Sequence, residues 1–209
     1  MQSGIKIMRV LFALLAFLPL IAFAVPQDAE RFTHLSGVNL SDMPAFKELQ
    51  KQFGASPVIE SGDAGDYDAR VCYRSSDNKI VVEFFHGEIN WGFVLRLAKS
   101  NDKRCPTSDA LKTQQLSVAE IRLGMEESTY RQLMGNTKKE TGNRLENHFE
   151  YVHTLTDSEL SDMVKHNSEN GYPSIDPENL RRSDVGINIR ASFSKGRLAS
   201  LIVDRVETN

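Results

Sequence analysis

The 209-residue chain carries 25 lysine and arginine residues against 28 aspartates and glutamates, a net charge of −3 at pH 7. That mild acidity argues against nucleic acid or an anionic membrane surface as partner, since both attract basic patches. The length suffices for one sizeable core or two small abutting ones.

The N-terminus reads as an address. Lys6 and Arg9 precede the apolar run "VLFALLAFLPLIAFA", which is too short to span a bilayer comfortably. The run closes in Ala22-Phe23-Ala24, a small-x-small cleavage pattern, and Val25-Pro26-Gln27 opens a polar region. Residues 1–24 are therefore expected to be a secretory signal peptide cleaved after Ala24. The mature chain is expected in the periplasm, with no integral membrane segment. No cysteine sits just after the cleavage site, so no lipid anchor is expected. Losing residues 1–24 removes two basic side chains and no acidic one, which leaves a net charge of −5. Such a balance suits a cationic protein partner.

From Ser41 the chain reads as a helix. Ser41 or Asp42 can cap it, Pro44 is tolerated in the first turn, and Phe46, Leu49 and Phe53 share one face before Gly54 stops it. Three strands are expected next. Ala69, Val71 and Tyr73 alternate with polar residues, then Ile80, Val82 and Phe84, then Trp91, Phe93, Leu95 and Leu97. Period-two alternation of this kind indicates an antiparallel meander with one buried side. Cys72 and Cys105 are the two cysteines. In an oxidising compartment they read as one disulfide, closing a loop of about 34 residues and contributing on the order of 3–4 kcal/mol.

Ser117 opens a second expected helix, because "SVAE" has capping-box spacing to Glu120. It runs past Gly124 to Gly135. A strand with Leu145, Phe149, Tyr151 and Leu155 on one face follows, then a short helix capped by Thr156 and Glu159 with Leu160, Met163 and Val164 as its stripe. Residues 167–183 are polar and turn-rich. The chain ends in a hairpin, with Val185, Ile187, Ile189, Ala191 and Phe193 alternating up to a turn at 194–196 and Leu198 to Val206 returning. Strands clustered after each helix indicate an α+β fold, as two tandem helix-plus-antiparallel-sheet units with the helices on one face of the sheet. The units span 25–112 and 113–209, and the second carries a polar insertion at 156–183.

The stretch "GMEESTYRQLMG" resembles the helix signature of the SmpA/OmlA family of small outer-membrane assembly proteins. Gly124, Met125, Tyr130, Leu133, Met134 and Gly135 stand at the matching positions. The same unit, duplicated, builds the β-lactamase-inhibitor-protein fold. The resemblance thus implies a sheet covered by helices and a role in binding proteins. Physically, the segment supplies an apolar stripe to lay on a sheet, and Gly135 permits the positive φ that ends the helix.

Catalytic motifs are scarce. His34, His86, His148, His153 and His166 form no His-x-x-x-His or His-Glu-x-x-His pair, so no zinc site is expected. His148 and His153 should face opposite sides of one strand. Asp63, Asp66 and Asp68 could offer three oxygens to calcium, but a strand-entry turn is the expected role. "HGEINWG" brings His86, Glu88 and Trp91 close together. Glu88 as a general acid would need a second carboxylate facing it. There is no Gly-x-Ser-x-Gly, P-loop or Gly-x-Gly-x-x-Gly. No catalytic residue, metal or cofactor is assigned.

These readings converge on a non-catalytic protein-binding module, an inhibitor or immunity protein acting on a secreted, cationic toxin or hydrolase. Tyr172, Arg181 and Arg182 are the expected partner contacts, being of types enriched at interface hot spots, with His86 and Glu88 beside them. The alternatives are a cell-envelope assembly accessory protein, and a hydrolase using Glu88 or the Asp63–Asp68 cluster.

Overall fold

Alternating apolar residues set the architecture. In the computed structural model, which describes residues 29–42, 44–63, 66–135, 139–169 and 181–208, the elements in chain order are β1 (His34–Leu35), β2 (Val38–Asn39), α1 (Phe46–Phe53), β3 (Ile59–Ser61), β4 (Asp68–Arg74), β5 (Ile80–Gly87), β6 (Asn90–Leu97), α2 (Glu127–Met134), β7 (Lys139–Thr141), β8 (Arg144–Thr154), α3 (Asp157–Glu169), β9 (Arg182–Ser194) and β10 (Arg197–Thr208). The expected signal peptide and Tyr172 lie outside the described residues. The fold is α+β.

β1 and β2 make a small ribbon of their own. The other eight strands form one sheet in the order β3-β4-β5-β6-β10-β9-β8-β7, with every neighbouring pair antiparallel. In each half a helix is followed by four strands, with α3 inserted between β8 and β9 in the second, and the last strand of each half, β6 and β10, pair at the centre. Phe93 there faces Val203 and Leu95 faces Leu201.

One side of the sheet is dry. Val71, Tyr73, Val82, Phe84, Phe93, Leu95, Leu145, Ile187, Ile189, Ala191, Leu201 and Val203 are buried on it. α1 lowers Phe53 onto Tyr73 and Phe84, with ring centroids 5.5 and 5.7 Å away. α2 lowers Tyr130 edge-on to Phe193 at 5.4 Å, and the Tyr130 hydroxyl donates to Asn147 Oδ1 at 3.1 Å. The N-terminal segment completes the cover, with Phe32 stacked on Phe149 and the Trp91 indole N–H donating to the Leu40 carbonyl at 2.5 Å. Buried aromatic N–H and O–H groups need such partners.

Several boundaries differ from the sequence reading. α1 begins at Phe46, because Ser41 and Asp42 belong to a 3₁₀ turn and the free Ala45 amide is capped instead by Glu48 Oε2 at 3.2 Å. Ser117 opens no helix. Val118 and Ile121 exchange two backbone hydrogen bonds, at 3.0 and 2.9 Å, and this tight turn buries both side chains. The apolar pair thus serves a turn, and α2 starts only at Glu127. Gly135 ends α2 at φ +67° and ψ −137°, backbone that glycine adopts readily. β3 and β7 add a short strand to each half. The Thr156–Glu159 capping box forms as read, with Thr156 N–H donating to Glu159 Oε2 at 2.7 Å and Glu159 N–H to Thr156 Oγ1 at 3.3 Å. α3 continues to Glu169, where a loop was expected from 167. Its Leu160 and Met163 pack with Leu155, whereas Val164 is exposed.

Candidate functional site

The second side of the sheet carries the chemistry. Because side chains alternate, the residues between the buried ones point to this side: Gly92, Val94 and Arg96 on β6, Ser200, Ile202, Asp204 and Val206 on β10, Asp184, Gly186, Asn188 and Arg190 on β9, and Arg144, Glu146, His148, Glu150 and Val152 on β8. Val94, Ile202, Asn188 and His148 are half-exposed, and Arg190, Glu150 and Arg144 are exposed. Asp204 is buried at 3% exposure, and Gly92 is buried beside it.

Cross-strand pairs join these residues into one chain of polar contacts. Arg190 Nη2 donates to Asp204 Oδ1 at 2.5 Å, and Asn188 Nδ2 donates to Asp204 Oδ2 at 2.8 Å. The Asn188 carbonyl oxygen faces His148 Nδ1 at 2.6 Å, and His148 Nε2 faces Glu150 Oε1 at 2.5 Å. Both ring nitrogens face acceptors, so the ring satisfies both only when each carries a hydrogen. A buried carboxylate with two donors is the form in which such a charge is tolerated.

Two shallow depressions flank this chain. One, of about 610 Å³, lies between His148, Glu150, Asp184 and Val206. The other, of about 750 Å³, lies between Arg96, Lys99, Arg144, Arg190 and Ser200. The first depression is lined by the carboxylates of Glu150 and Asp184, and the second by Arg96, Lys99, Arg144 and Arg190 with Glu146. Arg96 is fixed by Asp102 through two parallel bonds of 2.7 Å. That guanidinium holds the Asp102 carboxyl down to about 2.

At the β4–β5 end the same side is partly covered. The Cys72–Cys105 disulfide forms, and with Val81 and Ala98 it makes a second apolar cluster beneath the segment that follows β6. Gly92 lies under the Phe85 ring. A Cβ there would stand 2.2 Å from the Val203 carbonyl oxygen and 2.8 Å from Asp204 Cα.

The contacts read from sequence fall into two groups. Glu88 is exposed in the β5–β6 turn. His86 turns toward the core, its ring centroid 4.8 Å from that of Phe46, and burial pushes its pKa below the ordinary value. Arg181 pairs with Asp157 at 3.0 Å and offers its carbonyl to the Leu155 amide at 2.9 Å. Arg182 is exposed opposite Thr154. The register puts both groups at the same end of the sheet, with β6 and β10 between them. Asp68 is engaged by Arg70 and Asp66 closes a turn onto Asp63 at 2.9 Å. Among the described residues no three His, Cys, Asp or Glu side chains converge as a metal site requires, and no helix is long and apolar enough to cross a membrane. His148 and His153 do face opposite sides.

Sequence reasoning missed the Glu150–His148–Asn188–Asp204–Arg190 chain. Its one signal is the set of polar residues at alternate positions in "ENHFE" and "GINIR", and only register brings them together. Comparison with known families, characterised proteins and solved structures finds no match to this chain.

Proposed function

We propose that the chain is a periplasmic, non-catalytic protein-binding module of the tandem inhibitor type, which blocks a secreted toxin or hydrolase. The observation that supports this reading is the division of the sheet into one face sealed by α1, α2 and the N-terminal segment and one broad face that no helix among the described residues covers from β6 to β8. The open face has fixed, cross-braced polar side chains and shallow relief. Small molecules favour enclosed, mostly apolar clefts. A wide preorganised polar surface fits a folded partner, because little side-chain ordering remains to be done on contact. The repeated helix-plus-four-strand order supports the tandem reading, and the disulfide supports an oxidising compartment. Arg181, Arg182, His86 and Glu88 would then rim the end of this face where β9 begins and β5 turns into β6.

The test is capture of secreted proteins from the source cells on immobilised mature chain. Ile202→Arg, combined with Arg144→Glu, alters the open face without touching the core. A partner held by the wild type and lost by this variant supports the reading. Equal capture by both, or capture of no protein, overturns it.

A further inference from the structure

Where β9 turns into β10, the open face carries a row of residues that only strand register assembles. Arg96 on β6 lies opposite Ser200 on β10, Ser200 opposite Ser192 on β9, and Ser192 opposite Arg144 on β8. Neighbouring strands lie about 4.8 Å apart, so the row sets two arginines about 14 Å apart with a pair of serines between them. The four strands at this end belong to the described residues, as do the turns at 98–101, 142–143 and 195–196. In the next row Ile202 lies opposite Arg190, and Arg190 opposite Glu146. Both rows line the depression of about 750 Å³.

The chain as a whole has a net charge of −3. This depression reverses that sign, gathering Arg96, Lys99, Arg144 and Arg190 against a single lining carboxylate among the described residues, Glu146. The cations are of two kinds. Arg96 and Arg190 are braced by Asp102 and Asp204, which fixes their guanidinium groups and offsets most of their charge at a distance. Arg190 still has its Nε and Nη1 donors to offer, and its side chain is 46% exposed. Lys99 and Arg144 are exposed. Lys99 gives its backbone amide to Asp102, and Arg144 has no ion pair among the described residues. The half-exposed hydroxyls of Ser192 and Ser200 likewise have no hydrogen-bond partner there. Lys99 and Arg144 therefore supply the attraction, the braced arginines supply direction, and the serines supply donors.

We propose that this row receives an extended acidic segment of the partner protein, with carboxylates at alternate residues. Alternate residues share one side of a strand, and the first and third of them stand about 13 Å apart, which matches the separation of Arg96 and Arg144. One end carboxylate pairs with Arg96 and Lys99, and the other pairs with Arg144. The middle one accepts from Ser192 and Ser200, with Arg190 alongside. Ile202 and Leu97, the latter 51% exposed, offer apolar surface to the segment's aliphatic parts. A free anion is held best in a closed nest of backbone amides. A shallow row three strand spacings long fits a chain of anions instead. The inference rests on the reading of the molecule as a protein-binding module and adds the chemistry of the segment bound at this end. It also departs from the cationic partner that net charge alone suggests, because the charge that meets the segment is local.

Fluorescence anisotropy with a labelled peptide alternating glutamate with valine tests the proposal, with the lysine–valine counterpart as control. The mature chain should bind the acidic peptide and not the basic one, and added salt should weaken the complex. Lys99→Gln with Arg144→Gln should weaken binding at least tenfold, and Ser192→Ala with Ser200→Ala severalfold, with melting midpoints confirming that both variants fold. Lys47→Gln with Lys51→Gln removes the same charge from α1, on the other side of the sheet, and should leave binding unchanged. Binding that is absent in the wild type, equal for the two peptides, or reduced as much by the α1 changes as by those at 99 and 144 overturns the proposal. Complete displacement by inorganic phosphate at the peptide's own concentration also overturns it, because the depression would then be a site for a free anion. Failure of peptide binding while a secreted partner is still captured removes this inference and leaves the reading of the open face standing. Peptide binding without any captured partner does the converse.

Discussion

Cys105 is tied to Cys72 and places its own carbonyl 2.7 Å from Arg74 Nε, so the disulfide brings residues 105–108 along the outer edge of β4. The bridge therefore finishes a sheet edge as well as closing a loop. Replacing both cysteines with alanine should cost on the order of 3–4 kcal/mol in urea denaturation. It should also raise hydrogen exchange at the Arg74 and Ser108 amides above that of the β5 and β6 amides. Loss of stability with exchange at Arg74 and Ser108 unaltered would show that the edge closes without the bridge.

Gly92 has no room for a side chain, because the nearest neighbours of an added Cβ are backbone atoms of Val203 and Asp204 at 2.2 and 2.8 Å. Backbone cannot rotate aside as a side chain can. Gly92→Ala should therefore force β6 and β10 apart at their central pairing and cost on the order of 3 kcal/mol. A Gly92→Ala variant with a wild-type melting midpoint would contradict the tight pairing of these strands.

These two cases mark what a sequence conveys. β4, β5, β6, β8 and the closing hairpin were legible because apolar residues recur along each at period two, whereas the short β3 and β7 carry no such run. The capping box at Thr156 was legible because its bonds are local. Ser117 misled because its spacing to Glu120 fits a capping box, while Val118 and Ile121 are held by a turn the spacing does not reveal. Asn147 sits among apolar neighbours on the dry side, since Tyr130 on α2 supplies its partner. Gly92 and the chain from Glu150 to Arg190 depend on which strands become neighbours. Residues 92 and 204 are remote in sequence, and only the β6·β10 pairing makes them adjacent.

Asp204 is the anchor of the open face. Arg190 and Asn188 both donate to it, and Asn188 in turn orients His148. Asp204→Ala leaves a half-buried amide and a guanidinium without their acceptor and should cost about 2 kcal/mol, the usual range for groups stripped of a buried partner. Asp204→Asn keeps one acceptor oxygen and should cost roughly half of that. In NMR spectra the His148 ring signals should shift in both variants, and more in the alanine one. Unchanged His148 signals would show that the contacts do not act as one unit.

His86 should give the fold a pH dependence. Its ring packs against Phe46, and burial lowers its pKa below the ordinary 6.5, with the Pro44 carbonyl opposing in part. The unfolded chain therefore binds a proton at His86 more readily than the folded chain does. The associated stability is fully present above about pH 6.5 and is lost as the pH falls through the lower folded value. The Asp102 carboxyl, held down to about 2 by Arg96, contributes stability that is present above about pH 4 and lost only as the pH falls toward 2. The two effects occupy separate windows. Urea midpoints measured from pH 7.5 to 5 should therefore decline in the wild type and decline less in His86→Gln, while Asp102→Asn should retain the decline in this range and flatten the limb below pH 4. An undiminished slope between pH 7.5 and 5 in His86→Gln would place the titrating group elsewhere.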